Sequence, residues 1–457
     1  MDPAHLAQPA QHQPNVLWIL SDQMRAQTVG YAGDPNVHTP NLDRLAAEGV
    51  TFTHAVTGTP LCSPCRGSLL TSQYPHQHGV AGHNYPLPKN ARTVAHAFRD
   101  AGYRTAWLGK WHLDGDRPEI GVVGEPRTRI IPPARRGGFQ DWWGYENNNR
   151  PFDCLVHTDR DGRTEQFRLP SYETDALTDL FIAWIEERAA ARARGEEGPF
   201  FGVLSVQPPH DPYVAPAEVM ARHSPGGVRL RANVPLIPRV VEQARRELAG
   251  YCAAVERLDW NVGRIRAALD ALGIRDETYV VFFSDHGDML GSHGQFRKTS
   301  PWEESIRVPF IIGGPSREHQ EPRRTDVPIN HVDVAPTSLG LCGIAKPVGM
   351  VGSNCSHVVI DGRPPVTEPD SAYLSIPVPT GHSDSVDRPW RGVVTRDGWK
   401  YVCLEGQPWL LFNLDDDPYE LANLAHNTYF GAERRRLHDC LKTWIDTVGD
   451  SFLLPEV

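Results

Sequence analysis

The sequence predicts an α/β protein with a large, mostly parallel central sheet flanked by helices, followed by a smaller C-terminal antiparallel sheet closed by a helix. Three observations lead there. Two short, fully apolar runs, Val16-Leu17-Trp18-Ile19-Leu20 and residues 279–283, end in Ser21-Asp22-Gln23 and Ser284-Asp285-His286-Gly287. Strands buried on both faces have this pattern, with polar groups where they emerge at the edge of a parallel sheet. Segments with helical spacing alternate with such runs, which is the pattern of βα units. Beyond about residue 365 the pattern changes to short alternating segments separated by turns.

Taken in order, the strand at 16–20 is followed by a helix over 41–48, where Leu42, Leu45 and Ala46 share a face. Residues 93–101 repeat the helical spacing, and 105–108 read as a strand. Residues 115–172 are rich in Gly, Pro, Arg and Trp without a period, so a long loop-bearing region is expected there. Leu177, Leu180, Phe181, Trp184 and Ile185 mark an amphipathic helix, which Pro199 and a strand over 200–206 follow. A long helix over 242–272 precedes the apolar strand at 279–283. In the last part, 392–395, 400–404 and 409–414 alternate around Arg396-Asp397-Gly398, and Leu437, Cys440, Leu441, Trp444 and Ile445 form a closing helix. The expected organisation is a disordered leader over 1–13, a large α/β domain over 14–364 and an α+β subdomain over 365–457.

Composition narrows the functional classes. The 457 residues carry 46 Lys+Arg against 56 Asp+Glu, a formal charge of −10, which argues against a nucleic-acid binder with a broad basic face. No apolar run approaches the roughly 18 residues of a membrane helix. Glycine and proline, 40 of each, exceed the roughly 12% of average usage and imply many ordered loops. Eight cysteines are too few and too irregularly spaced for a disulfide scaffold. The polar stretch 1–14 lacks the apolar core of a secretory signal, so a cytoplasmic location is the expectation. Oligomeric state is not legible.

The chemistry concentrates in Leu61-Cys62-Ser63-Pro64-Cys65-Arg66-Gly67-Ser68-Leu69-Leu70-Thr71. Pro64 suits a first helical turn, placing Cys62 just before a helix N-terminus, where free N–H groups favour negative charge. Spacing alone leaves a nucleophile facing an anion and a C-x-x-C redox or zinc pair equally open. Asp22-Gln23 and Asp285-His286, both after apolar strands, supply oxygen and nitrogen donors that suit a divalent cation if they converge at one sheet edge.

With these residues the chain resembles the type I, formylglycine-dependent sulfatases of the alkaline phosphatase superfamily. Cys62-Ser63-Pro64-Cys65-Arg66 matches their C-x-P-x-R signature. The likeness continues in family order through Thr39-Pro40-Asn41-Leu42-Asp43, Gly109-Lys110-Trp111-His112, Pro208-Pro209-His210-Asp211-Pro212, Ser284-Asp285-His286-Gly287 and Lys298. It closes with Val332-Asp333-Val334-Ala335-Pro336-Thr337 and Leu414-Asp415-Asp416-Asp417-Pro418-Tyr419-Glu420.

The resemblance implies that Cys62 is oxidised to formylglycine by a formylglycine-generating enzyme. One hydroxyl of its hydrate attacks the sulfur of a sulfate ester, and the other later expels sulfate. It implies Asp22, Gln23, Asp285, His286 and residue 62 as metal ligands, with calcium first and manganese or magnesium open. Arg66 and Lys110 would hold the diol, His112 would take the proton that lets the intermediate collapse, Lys298 would clamp sulfate, and His210 would protonate the leaving alcohol. His293 is a candidate substrate contact, and Trp302, Glu303, Glu304 and Arg307 would support the Lys298 loop. Trp142, Trp143, Tyr145, residues 147–149, Tyr213, His382 and Arg388 are candidates for a leaving-group pocket.

Departures shape the alternatives. Many sulfatases carry Asp-Asp where this chain has Asp22-Gln23, and Asp-Asn where it has Asp285-His286; Cys65 and Ser72 replace a small residue and a glycine. The Gln and His choices resemble the formylglycine-dependent phosphonate monoester and phosphodiester hydrolases and the choline-sulfatase-like branch. The first reading is a sulfatase acting on a carbohydrate or other small-molecule sulfate ester. The second is a phosphonate monoester or phosphodiester hydrolase using the same site. A third, a catalytically silent anion-binding protein, is disfavoured by the joint retention of Cys62, Pro64, Arg66, Lys110, His112, His210 and Lys298.

Overall fold

Alternation along the first strand decides how the central sheet is covered. In the computed structural model, which describes residues 13–118, 121–315, 323–363, 368–382 and 386–457, β1 (Asn15–Asp22) is buried throughout. Val16, Trp18 and Leu20 face one layer, built on the helices Cys62–Thr71, Val94–Asp100 and His331–Leu341. Leu17 and Ile19 face the other, built on Pro40–Glu48, Glu173–Ala193 and Pro238–Ala271. A strand with apolar side chains on both faces needs two helical layers, and this chain supplies them.

The chain continues through β2 (Val50–Phe52), β3 (Ala55–Val56), β4 (Arg104–Lys110), β5 (Asp141–Tyr145), β6 (Leu155–Arg160), β7 (Arg163–Arg168), β8 (Phe200–Pro209) and β9 (Thr278–Ser284). With β10 (Phe310–Gly313) and β11 (Arg323–Thr325) the large sheet is complete with ten strands in the order β11-β2-β10-β9-β1-β8-β4-β5-β6-β7, and β12 (Ile329–Asn330) pairs with β3 in a small parallel sheet of its own. The central strands of the large sheet, β9-β1-β8-β4-β5, are all parallel, while β10, β6 and β7 join antiparallel. Register puts Ser21 opposite Ser284, and Gly109 opposite Ser205. Asp22-Gln23, Asp285-His286, Lys110 and the segment after Gln207 therefore leave the sheet side by side at its C-terminal edge.

A second sheet of four antiparallel strands comprises β13 (Ser371–Ile376), β14 (Trp390–Thr395), β15 (Trp399–Leu404) and β16 (Gln407–Asn413). Tyr373, Val393 and Tyr401 on one face receive Leu437, Leu441 and Ile445 of the closing helix Gly431–Val448. Leu374, Trp390 and Val402 on the other pack with Leu61, Met289 and Trp302 of the large domain. Lys400, fully buried in that seam, pairs with Glu303 at 3.2 Å and with Glu420.

Two regions differ from the sequence expectation. Residues 115–172 are not a loop region alone: β5, β6 and β7 extend the large sheet there, each too short and too closely flanked by Gly and Pro to show a period. Trp142 and Tyr145 are consequently core side chains rather than pocket walls, their polar ends satisfied by His157 and Glu173. The strand β13 also lies before the first C-terminal segment legible in the sequence. Residues 1–12 of the expected leader and the 364/365 boundary lie outside the described residues.

The β5–β6 pairing is secured by His157, whose Nε2 accepts both the Trp142 indole N–H at 3.0 Å and the Ile131 backbone N–H at 3.1 Å. Two donors on one nitrogen require the neutral ring. Burial, then Arg136, push its pKa down to about 4. Because the folded value lies below the unfolded one of roughly 6.5, stability is fully present above pH 6.5 and is lost as pH falls toward 4. That single group accounts for a loss on the order of 3 kcal/mol. The variant His157→Gln is expected to flatten the slope of unfolding free energy between pH 4 and 6.5 by about one proton. Urea titrations across that range check it; an unchanged slope refutes the assignment.

Candidate active site

Two carboxylates from neighbouring strand ends stand at the centre. Asp22 and Asp285 are fully buried, and the equally buried Arg66 bridges them, with Nη2 at 3.1 Å from Asp22 Oδ2 and Nε at 3.3 Å from Asp285 Oδ2. Its Nη1 donates to Lys110 O at 2.9 Å and Ser205 Oγ at 2.8 Å. Lys110 Nζ adds a contact of 2.7 Å to Asp22 Oδ2. Burial acts to raise the Asp22 pKa, but Lys110, His210, Arg66 and His286 together hold it well below the usual carboxylate range. Arg66 thus acts through the two carboxylates, since each nitrogen contact goes to Asp22, Asp285, Lys110 or Ser205.

Cys62 is the first residue of its helix, one position inside the expected start, after Leu61 in extended conformation. Its Sγ lies 3.1 Å from His286 Nε2 and 3.7 Å from Asp22 Oδ1. His286 Nδ1 sits 3.0 Å from Gly287 O. A carbonyl only accepts, so Nδ1 carries the hydrogen and the Nε2 lone pair faces Cys62 and the carboxylates. One ligand atom from each of Asp22, Cys62, Asp285 and His286 lies within 4.8 Å of the other three. That spacing suits donors around a single ion, and the tautomer is the one a metal requires, so the residues fit a divalent cation.

Gln23, at φ 67°, sits in the left-handed region, held by its N–H on Asp285 Oδ1 at 3.0 Å and by Tyr251, whose hydroxyl donates to its carbonyl at 2.8 Å. Its amide direction is set from both ends. Nε2 donates to Asp288 Oδ2 at 2.6 Å, and Oε1 accepts from Lys298 Nζ at 2.6 Å. Lys298 also donates to His210 Nε2 at 2.8 Å, while His210 Nδ1 meets Asp211 O at 2.8 Å. Burial acts to lower the Lys298 pKa, but residue 62, Asp22, Asp211 and Asp285 outweigh it, so the amine stays charged. His112, in turn, is held neutral: burial, then Lys110, His83 and Arg66, lower its pKa well below 6.5, and among the described residues its Nδ1 has no hydrogen-bond partner.

The structure thus gathers Asp22, Gln23, Cys62, Arg66, Lys110, His112, His210, Asp285, His286 and Lys298. His293 falls elsewhere: its ring stacks on Trp302 with centroids 5.1 Å apart, beside Asn233, and its ligand atom groups with Glu304 and Glu420. The expected substrate contact is replaced by a place in the seam between the two sheets. Cys65 turns away from Cys62, its Sγ 3.0 Å from Asp285 O and 3.1 Å from His331 Nδ1, and burial raises its pKa. The two thiols therefore face different partners and are not placed as a C-x-x-C pair. Ser72 takes φ 54°, the left-handed conformation that favours glycine, and its hydroxyl donates to Val332 O at 2.5 Å and accepts from Gly352 N at 3.0 Å.

Two residues beside the site had no sequence signal of their own. His83 lies with its ring 5.6 Å from that of His112, its pKa pushed down to about 3 by burial, with Lys298 and Lys110 adding. Asp288 directly follows the Asp285-His286-Gly287 motif. Its Oδ2 takes Gln23 and the Tyr213 hydroxyl, and its Oδ1 takes the N–H groups of Leu290 and Arg297.

The sulfatase family profile matches residues 14–344, and that of the N-sulphoglucosamine sulphohydrolase C-terminal domain matches 291–446. The chain belongs to the sulfatase family and is a sulfuric ester hydrolase. The family implies a formylglycine and a divalent metal. The chain is 35% identical to an ulvan-active sulfatase of Formosa agariphila over 96% of its own length and 82% of that protein's. It is 29% identical to an endo-4-O-sulfatase of Bacteroides thetaiotaomicron, over 92% of this chain and 90% of that one. A solved putative sulfatase yidJ from Bacteroides fragilis superposes with a TM-score of 0.84 at 28% identity, covering 98% of this chain and 99% of the other.

Replacing Asp288 by Asn tests the amide orientation. The Asn oxygen is claimed by the two backbone N–H groups, so its amide N–H₂ faces Gln23 and turns Gln23 Oε1 away from Lys298. Divalent-cation affinity is expected to fall roughly 10- to 100-fold with little change in Tm, as measured by competition with a chelating dye. Unchanged affinity would show that Asp288 does not orient Gln23.

Proposed function

We propose that this sulfatase hydrolyses sulfate esters of carbohydrates, with formylglycine made from Cys62 as nucleophile and Asp22, Gln23, residue 62, Asp285 and His286 holding one calcium ion. The observation that carries the reading is the buried convergence of those donors at the strand ends, within 4.8 Å for the four titratable ones. Hard oxygens with one imidazole favour calcium among the divalent candidates. When bound, the cation supplies Lewis acidity to the nucleophile and to the sulfuryl oxygens.

The chain's own residues divide the remaining work. Arg66 and Lys110 fix the carboxylates, keeping them ionised and aimed. Lys298, charged and 2.6 Å from Gln23 Oε1, is placed to hold the sulfate oxygens. His210, whose Nε2 accepts from Lys298 Nζ, takes up a proton from that ammonium and passes it to the leaving alcohol. His112, neutral with an open Nδ1, accepts the proton of the second hydroxyl at residue 62. Maturation of Cys62 calls for a formylglycine-generating enzyme as partner. The carbohydrate class draws support from relatives named for ulvan activity and for 4-O-sulfate removal.

Peptide mass spectrometry across residue 62, on protein co-produced with a formylglycine-generating enzyme, is expected to find oxygen in place of sulfur with two hydrogens lost. An unmodified thiol there would sink the nucleophile assignment. His210→Ala is expected to slow carbohydrate sulfates roughly 10²- to 10⁴-fold and 4-nitrophenyl sulfate much less, because a good leaving group does not need the proton. Equal losses on both substrates would remove His210 from the acid role. Parallel kcat/KM values on sulfate, phosphonate and phosphodiester esters should rank sulfate first; a phosphorus ester in first place would overturn the substrate reading.

A further inference from the structure

A second cationic feature lies outside this cluster and shares no residue with it. A cavity of about 530 Å³ is lined by Arg25, Arg229, Arg231, Arg307, Arg324 and Tyr419. Arg231 is neutralised by Glu304 at 2.7 Å and lies over the Tyr419 ring. The other four make no salt bridge among the described residues, although Arg25 lies near enough to the Glu304 carboxylate for its charge to help lower the Glu304 pKa. The acid in the lining, Asp34, has Oδ1 occupied by the backbone N–H and side-chain amide of Asn36.

Arg25 is the decisive member. It is 2% exposed, yet its side chain makes one hydrogen bond, from Nε to Thr28 Oγ1 at 2.7 Å. Among the described residues nothing accepts from its two terminal nitrogens, and the residue lines the cavity. The terminal nitrogens of Arg25 are thus left facing the cavity, open to solvent or to an anion, and the convergence of like charges there favours the anion. The cavity also offers Gln27, whose buried Oε1 has no donor among the described residues and would accept from a sugar hydroxyl rather than from an oxyanion. Planar guanidinium forks match the paired oxygens of sulfate and carboxylate groups, and an anion with two or more such groups would satisfy several at once.

We propose that this cavity binds a saccharide carrying two or more sulfate or carboxylate groups, a segment of acidic polysaccharide held apart from the ester being cleaved. The saccharide class rests on the carbohydrate reading given above; the oxyanion chemistry rests on the arginines alone. Neither Arg229 nor Arg324 is buried, so Arg229→Glu with Arg324→Glu reverses the local charge without opening the core. In Cys62→Ala protein, titration calorimetry with a trisulfated heparin disaccharide is expected to lose about tenfold in affinity when the double substitution is added. Arg229→Gln with Arg324→Gln should fall between. In converted enzyme the double substitution should leave 4-nitrophenyl sulfate turnover within about twofold, since it touches nothing around residue 62. Unchanged disaccharide affinity overturns the proposal, as does equal binding of the unsulfated disaccharide. Tighter binding of ATP than of the disaccharide overturns the saccharide assignment in favour of a nucleotide. Turnover of carbohydrate sulfates is read in a separate assay, so failure of the function reading and failure of this site are told apart.

Discussion

Arg66 is the interaction on which the site depends. Parallel pairing of β1 with β9 brings two carboxylates, Asp22 and Asp285, out of the sheet next to one another and out of water. Two such anions repel and are poorly solvated, so without a fixed counter-charge one would take up a proton. A guanidinium from the next helix spans both at 3.1 and 3.3 Å. Its planar fork also ties to Lys110 O and Ser205 Oγ, linking β4 and β8 to the same point. Breaking a pair of this kind by removing one partner typically costs about 3–5 kcal/mol, because the remaining charges stay buried and unpaired.

Around that bridge the charges are sorted by strand end. Lys110 contacts Asp22 and Lys298 contacts Gln23, while burial holds the pKa values of His112 and His286 below the ordinary imidazole range. A protein of net charge −10 thus gathers Arg66, Lys110 and Lys298 at one water-poor edge suited to a sulfate ester. The second sheet serves this edge from a distance. Its Trp390 indole donates to Thr299 O at 3.1 Å, immediately after Lys298, and its Lys400 anchors Glu303 in the segment that follows. The loop that carries Lys298 is therefore held between the two sheets.

Much of this is legible in the amino-acid sequence. Fully apolar runs ending in Asp22-Gln23 and Asp285-His286 announce strand ends with ligands, because only a doubly covered strand is apolar on both faces. Pro64 after Cys62 announces a helix start. The strands β5 to β7 and β13 stayed hidden, since they are short, bounded by Gly and Pro, and stabilised by pairing rather than by their own period. His293 lies five residues before Lys298 in the chain, yet its ring stacks on Trp302.

The linear order of residues determined the fold class, because that depends on local period, and it carried the motifs on which the likeness to the sulfatases rests. Tertiary structure alone decided which donors share one point, which tautomer His286 adopts, and that Cys65 faces Asp285 O instead of Cys62. It also decided that Asp288 orients Gln23 and that His83 lies beside His112. Each of those depends on register and packing between segments far apart in the chain: Gln23 and Asp288 are 265 residues apart, and no local pattern encodes their meeting at 2.6 Å.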